Sequence, residues 1–390
     1  MVEIYDAAVV GGGPSGATAA ADLARQGLSV ALLDKAGRIK PCGGAIPPRL
    51  LREFDVPDHL VVARVNRAKI VSPKSKSVHM PIDDGGYVGM VDRDVFDEWL
   101  RERAGSQGAD RVRGTFKRIE REEKSHATLH YNDGAGQAQT LRARMVIGAD
   151  GAVSAVGRQN VPGQPHHVFA YHEVIRAPKN AEFDGKCCDV FYDGGYSPDF
   201  YAWIFPHGDT VSVGTGSAKK GFSLRGSVGA LRLKTGLSET ETIRCEGAPL
   251  PLRPLKKWDN GQDVVLAGDA AGCVAPASGE GIYYAMLGGR LAADAVAEAL
   301  RTGDARALAN ARKRFMKTHG QVFWALQFMQ NYWYKSDWRR ERFVAICADK
   351  DVQQLTWDAY MNKELVRARP LAHARIFFKN MAYLTGIAAA

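Results

Sequence analysis

Residues 4–35, IYDAAVVGGGPSGATAAADLARQGLSVALLDK, leave this chain few folds to choose from. The apolar run 7–10 reads as a buried strand. Residues 17–25 have helical composition, Gly27 can end that helix, and 29–33 reads as the next parallel strand. Gly11-x-Gly13-x-x-Gly16 fills the turn from strand to helix, and Asp34 closes the second strand. In that setting the spacing is a dinucleotide-binding fingerprint. Gly11 permits the tight turn, Gly13 lets backbone approach a pyrophosphate, and Gly16 allows close helix packing. The helix start offers unpaired N–H groups and about half a positive charge to the phosphates. Asp34 can accept hydrogen bonds from a ribose, and its charge disfavours a 2′-phosphate, so NADP is not expected at this site.

The same texture returns twice. VDRDVFDEWLRERA (91–104) reads as a helix entered through a polar turn, and RMVIGADGAVSAVGR (144–158) as a strand running into a Gly-rich turn. DVVLAGDAAGCVAPASGEGIYYAMLGGRLAADAVAEAL (263–300) reads as strand, loop and long helix. Between them, over 165–258, short runs of Tyr, Phe, Val, Thr and Gly such as CDVFYDGGY, DFYAWIFPHG and TVSVGTGSA point to antiparallel strands. The expectation is an α/β chain with a discontinuous Rossmann-like layer (1–60, 80–162 and 259–304). An antiparallel-sheet substrate domain (61–79 and 163–258) is inserted into it, and a helical, basic and aromatic region (305–390) follows.

The second nucleotide-layer piece decides between NAD and FAD. Gly268-Asp269 follows a buried strand, where a carboxylate can hold a ribityl chain. Gly279 and Gly281 then lead into a helix whose N–H groups can stabilise negative charge on a reduced flavin ring. An N-cap Asp with loop glycines would look the same, but beside the first fingerprint FAD is the expected cofactor. No metal is expected. The six cysteines fit no ligand spacing, and adjacent Cys187 and Cys188 suit neither a tetrahedral site nor a redox pair, so free thiols in a reducing compartment are the simplest reading. No secretory signal precedes the first strand, and no window reaches about 18 nearly uncharged apolar residues, so no transmembrane helix is expected.

The fingerprint, Arg93 in VDRDVFDEWL, Asp150-Gly151 in GADGAVSAVGR, and GDAAGCVAPASGEGI follow one another in the order found in flavoprotein hydroxylase-like enzymes, which the chain resembles. PCGGAIPPRLL (41–51) and YAWIFPHGDTVSVGTG (201–216) resemble the geranylgeranyl reductase family. YWYKSDWRRERFVAICADKDVQQLTWDAYMNKELV (332–366) is similar to its branch in chlorophyll and bacteriochlorophyll synthesis. The resemblance implies a FAD-binding fold of the flavin hydroxylase type. It also implies saturation of three of the four double bonds of a geranylgeranyl group to give phytyl, with NADPH as reductant; a ferredoxin as donor stays open. The implied substrate is a geranylgeranylated bacteriochlorophyll or chlorophyll, or free geranylgeranyl diphosphate. By position, the flavin contacts would be Ser15, Asp34, Cys42, Gly43, Gly44, Arg93, Asp269, Gly281 and Ile282. With one fingerprint only, NADPH would use a transient site, bordered by Asp150-Gly151 and Arg158.

An isolated trisubstituted alkene is a poor hydride acceptor, because no carbonyl drains the charge. The site must be dry, hold the chain closely and supply a proton. Cys42 fits that need: Pro41 fixes the approach, Gly43 and Gly44 let backbone come close, and the thiol can donate a proton or wall the site. A small buried hydrophobe in a turn would read the same way. Along a strand, Tyr201, Trp203 and Phe205 share one face, which either lines an isoprenoid tunnel or packs the sheet core. Tyr201, Tyr283, Tyr284 and His207 are the alternative proton donors, and the sequence does not rank them.

The net charge of +9 is local. Residues 301–390 hold 16 Lys or Arg against 7 Asp or Glu, leaving 36 of each in the first 300. Phe323, Leu326, Phe328, Tyr332 and Trp333 stand at helical spacing, followed by Arg339, Arg340 and Arg342. This reads as an amphipathic helix packed on the protein, or as a surface lying on a bilayer, where each well-placed cation adds about 1 kcal/mol. Peripheral association with the cytoplasmic side of a photosynthetic membrane is the expected location. Nucleic acid is not an expected partner, since no known module is present; oligomeric state stays open. Two other functions compete: a flavin-dependent aromatic monooxygenase, and a non-catalytic isoprenoid carrier, for which Arg93 and Asp269 would have no use.

Overall fold

The computed structural model describes residues 4–35, 37, 39–83, 85–123, 126–179 and 183–363. These form two units. The first comprises the chain up to Lys40, Arg93–His167 and Pro249–Gly320; the second comprises Pro41–Asp92, Val168–Ala248 and the chain from Gln321.

The first unit is built on parallel strands in the spatial order Asp110–Glu123, Val30–Asp34, Ile4–Val10, Ala138–Gly148 and Val264–Leu266. The strand His126–Asp133 runs antiparallel to both Asp110–Glu123 and Ala138–Gly148. The central strands are nearly continuous apolar runs, as strands covered on both faces require. Val9, Leu32, Ile147 and Val265 are fully buried or nearly so. The helix Pro14–Arg25 has Gly13 in extended conformation at its N-cap and Pro14 at its first position, where a missing N–H costs nothing. The helix Ile282–Thr302 crosses it at Gly289, where a Cβ would lie 2.1 Å from the Ser15 carbonyl oxygen.

The second unit holds a seven-stranded sheet. Its order is Thr242–Pro251, His167–Arg176, Thr210–Ser217, Ala202–His207, Cys187–Phe191, Arg67–Val71 and Ser77–Pro81. One face carries Ile175, Phe191, Ala202, Ile204, Val211 and Val213, covered by Val228 and Leu231 of the helix Leu224–Lys234. The other face carries Tyr201, Trp203 and Phe205, whose ring centroids are 5.9 and 6.1 Å apart in succession. A small antiparallel sheet pairs Val88–Met90 with Ala45–Ile46 and with Ala63–Val65. That pairing draws 41–60 and 80–92 into the second unit, where the sequence had placed them with the nucleotide layer.

The helical C-terminal region is Asn310–Trp333, Asp337–Ile346 and Lys350–Asn362; 364–390, the rest of the expected region, lies outside the described residues. Among the described residues, 321–363 belong to the second unit rather than to a third body. The expected apolar seam divides in two. Phe323 and Trp333 are buried, whereas Phe328 is exposed together with Trp324. Arg340 departs from the basic cluster: only 2% exposed, its guanidinium is spent on the carbonyls of Ser197, Pro198 and Tyr334 and on Asp337. A buried guanidinium needs such partners, so this one is no longer available to lipid phosphate.

The close crossing at Gly289 sets a test. Gly289→Ala is expected to lower stability by about 1–3 kcal/mol, read as a shift in the urea midpoint. Gly229→Ala is the control: its Cβ meets nothing within 4 Å, so in an exposed helix it should be neutral or stabilise by up to about 1 kcal/mol.

Candidate functional site

In the first unit, Gly11 adopts φ +105°, and a Cβ there would sit 2.4 Å from the Ala149 carbonyl oxygen. Only glycine tolerates both the angle and the approach. The helix that follows has no acidic side chain in its first turn and no side-chain cap, so the positive end of its dipole is not neutralised locally. Space is open beside Gly13, with nothing within 4 Å of a would-be Cβ. Ser15 Oγ is buried in that first turn without a hydrogen-bond partner among the described residues. Asp34 accepts the Gly12 N–H at 2.7 Å, and Arg101 donates to the Gly12 carbonyl at 3.2 Å. A Cβ on Gly12 would meet both side chains at 2.9 Å.

Arg93, 5% exposed, makes a two-pronged pair with Asp97 at 2.8 and 2.7 Å. Asp150 accepts from Ser154 and from the N–H groups of Ala155 and Val156 at 2.6 and 3.1 Å, capping the helix Ala155–Asn160. Burial pushes its carboxyl above the usual range, against those hydrogen bonds. Asp269 is buried and ion-paired with Lys40. Its Oδ1 lies 3.9 Å from where a Cβ on Gly281 would stand, so the structure brings Asp269 and Gly281 together, with Ile282 opening the helix beyond. The Tyr283 N–H of that helix start is donated to Glu280 Oε1 at 3.0 Å. Tyr283 and Tyr284 are buried against His319, and Tyr284 also against Phe315.

In the second unit, the Cys42-Gly43-Gly44 turn packs on the aromatic face. A Cβ on Gly43 would lie 3.0 Å from the Phe205 ring and 4.0 Å from Trp203 Nε1. Gly44 has φ +69°, and its Cβ would meet His207 Cε1 at 2.4 Å and the Val91 carbonyl oxygen at 2.5 Å. His207 Nε2 donates to the Gly43 carbonyl at 3.0 Å, and its Nδ1 stands 3.4 Å from Asp92 Oδ1. The Gly44 N–H points at Cys42 Sγ, 3.4 Å away, and the thiol is half-buried. Tyr201 is buried, and burial pushes its phenol far above the ordinary range, with Tyr192, Cys42 and Cys188 adding to the effect. Cys187 faces away from this group and pairs with Asp189; its thiol is pushed up to about 12, by burial first.

The sequence reading did not single out Gly12, Arg101, Lys40, Glu280 or Asp92. Gly12 was visible as the middle of three glycines. Nothing local joins Lys40 to Asp269, which lies 229 residues on.

A family model described as FAD binding domain matches residues 4–173. Geranylgeranyl diphosphate reductase of Rhodobacter capsulatus is 56% identical to this chain over 98% of each. The chain belongs to the geranylgeranyl diphosphate reductase family. The protein of that name from a Synechocystis species is 36% identical over 97% of each chain. A crystal structure of a geranylgeranyl bacteriochlorophyll reductase-like protein from Thermoplasma acidophilum shares the fold, with a TM-score of 0.77, 23% identity and 96% of each chain covered. A flavin-dependent brominase has the same fold at a TM-score of 0.75, with 17% identity and coverage of 98% of this chain and 100% of its own. FAD is therefore the cofactor, on a fold of the flavin hydroxylase type.

The first unit fits that group. The open space at Gly13, the uncapped helix start and the unpartnered Ser15 hydroxyl are what a pyrophosphate requires. Asp34, which accepts the Gly12 N–H at the end of the second strand, would hold a ribose, and Asp269 offers a buried carboxylate now balanced by Lys40.

Gly44→Ala should destabilise by about 2 kcal/mol or more, from the positive φ and the backbone collision together. Gly43→Ala should cost less, since the Phe205 ring can tilt; denaturant titration ranks the two. The nearby His207 ring, its Nδ1 3.4 Å away, holds the Asp92 carboxyl below its usual range, against burial. A depressed carboxyl pKa stabilises the fold above its unfolded value of about 3.9, and this is lost as pH falls through the folded value. Asp92→Asn should therefore be less stable than the parent at neutral pH, and the gap should close below about pH 4.

Proposed function

We propose that this protein reduces the geranylgeranyl group of a bacteriochlorophyll or chlorophyll to phytyl, drawing electrons from NADPH at the surface of a photosynthetic membrane. In a chain of this family, the reading is carried by the Cys42-Gly43-Gly44 turn fixed against the Tyr201, Trp203 and Phe205 rings. Bound FAD, once reduced, supplies hydride to one alkene carbon. The rest falls to the chain's own residues. The three rings give the prenyl tail an apolar surface, worth about 25 cal/mol for each Å² taken from water, and they keep water from the reacting carbons. Cys42 Sγ delivers the proton to the neighbouring carbon. Tyr201, its phenol driven up by burial, is a weaker acid than an exposed tyrosine and serves as wall and hydrogen-bond donor.

Contact with the membrane is assigned to the helix that ends at Trp333. Trp324, Phe328 and Tyr332 stack in one outward stripe, with centroids 6.1 and 5.8 Å apart. Arg339 lies over Tyr332, and Arg342 over Trp338. Rings of this kind favour the interfacial zone of a bilayer, and the cations favour its phosphates. No helix among the described residues is long and apolar enough to cross a membrane.

The test is an anaerobic incubation of the FAD-loaded protein with NADPH and either the geranylgeranylated pigment or free geranylgeranyl diphosphate. Product mass should show successive gains of two, four and six hydrogens, fastest on the pigment. A requirement for O₂ would transfer the protein to the monooxygenases. Cys42→Ala should retain FAD and lose about 10²–10⁴-fold in turnover; full turnover would remove the thiol from the donor role. The Trp324→Ala, Phe328→Ala double variant should pellet less with anionic vesicles while keeping activity on detergent-dispersed pigment.

A further inference from the structure

Trp203 does not stand on packing alone. Its indole Nε1–H donates to Ser212 Oγ at 3.1 Å, and Ser212 Oγ lies 2.9 Å from His172 Nδ1. His172 Nε2 lies 3.1 Å from Glu246 Oε2, and Arg244 Nε is 2.9 Å from the other oxygen of Glu246. Trp203, Ser212 and His172 are buried, while Glu246 reaches the edge of the sheet with its side chain 15% exposed. The roles interlock. A carboxylate only accepts, so in a neutral imidazole the hydrogen sits on Nε2 and Nδ1 is left to accept. Ser212 then donates its single hydrogen to Nδ1, and a lone pair remains for the indole. From Trp203 through Ser212 and His172 to Glu246 each hydrogen bond has its complement, which is the condition under which a buried network rigidifies its surroundings.

The backbone is shaped for this row. Gly214 pairs with Trp203 on one neighbouring strand and with His172 on the other. A Cβ there would lie 2.3 Å from Trp203 Cζ2 and 2.7 Å from His172 Cβ. The two rings therefore converge above the bare glycine, and Ser212, two residues earlier on the same face, ties them.

We infer that Glu246, His172 and Ser212 are positioning residues for the reduction: they lock the plane and depth of the Trp203 indole, and through it the register of the prenyl chain. The inference rests on the reading that the Trp203 face holds that chain. An alkene held even an ångström out of line reacts slowly, and the requirement recurs at every double bond. A loosened indole should thus weaken prenyl binding and let partly reduced products escape.

The experiment is a double-variant cycle on the FAD-loaded protein with Ser212→Ala, Trp203→Phe and both together. His172→Leu and His172→Asn are added, the latter keeping an acceptor near the Nδ1 position. Readouts are KM and kcat, the share of products short of full reduction, the dissociation constant for geranylgeranyl diphosphate, flavin content and the urea midpoint. Ser212→Ala and His172→Leu should each raise KM and the dissociation constant about threefold to tenfold and enlarge the share of partly reduced product. Flavin content should be unchanged, and His172→Asn should recover much of the loss. In the Trp203→Phe background, Ser212→Ala should change little further. Independent, additive effects of the two substitutions, or a His172→Leu variant altered only in its urea midpoint, would overturn the relay. A Trp203→Phe protein with parental KM, binding and products would instead remove the face from substrate binding, and the relay's purpose with it.

Discussion

The first turn of the helix Pro14–Arg25 can be presented to a phosphate only because backbone meets backbone on two of its flanks. A Cβ on Gly16 would lie 1.8 Å from the Gly11 carbonyl oxygen, and one on Gly289 would lie 2.1 Å from that of Ser15. No side chain intervenes at either contact, so the turn is pinned by atoms that cannot change rotamer. Gly12 is held on both its polar groups, by Asp34 and by Arg101. The cradle is therefore fixed by backbone contacts rather than by side-chain rotamers. The helix dipole then acts on a phosphate from a fixed place, where an interaction of about 0.3–1 kcal/mol at an exposed end can approach about 2 kcal/mol.

The second unit solves a different problem with the same means. If this sheet face takes a long apolar chain, as proposed, it must be dry, yet its own backbone and tryptophan carry polar groups. His207 takes the Gly43 carbonyl, Ser212 takes the Trp203 indole, and each is backed by a group near the edge, Asp92 and Glu246. Polar atoms satisfied from behind leave the front of the face apolar. Glycine recurs where the rings need room: Gly43 under Phe205, Gly44 against His207, and Gly214 between Trp203 and His172.

What could be read in the sequence was what lies close along the chain. The fingerprint glycines, Asp34 and the alternation in YAWIFP gave the nucleotide turn and the aromatic face, because periods of two and a strand-turn-helix rhythm are local. Long-range pairings were not legible. Residues 41–60 looked continuous with the nucleotide layer, and only the pairing of Ala45–Ile46 with Val88–Met90 draws them into the other unit. His172, Ser212 and Glu246 sit on three strands and carry no motif. In the helix ending at Trp333, the adjacent pairs Phe323–Trp324 and Tyr332–Trp333 put a large ring on both sides of any chosen face, so pattern alone could not say which would be buried. Arg340 resembled its neighbours Arg339 and Arg342 in type and differed in being buried, its guanidinium shared among three carbonyls and Asp337 where each neighbour reaches one carbonyl.

Burial sets Tyr201, one of the candidate acids, among several buried phenols and thiols. It raises the phenols of Tyr192, Tyr201 and Tyr334 and the thiols of Cys188 and Cys347, in each case as the leading cause. Groups so affected hold their protons more tightly than exposed ones. Saturation of several double bonds in one chain consumes a proton at each, so the donor has to be refilled between additions. A suitable group must touch the dry face and still meet solvent. Cys42 is half-buried at the end of a turn that closes over the aromatic rings. On the proposed function, that position is what separates it from Tyr201, the tyrosine it approaches.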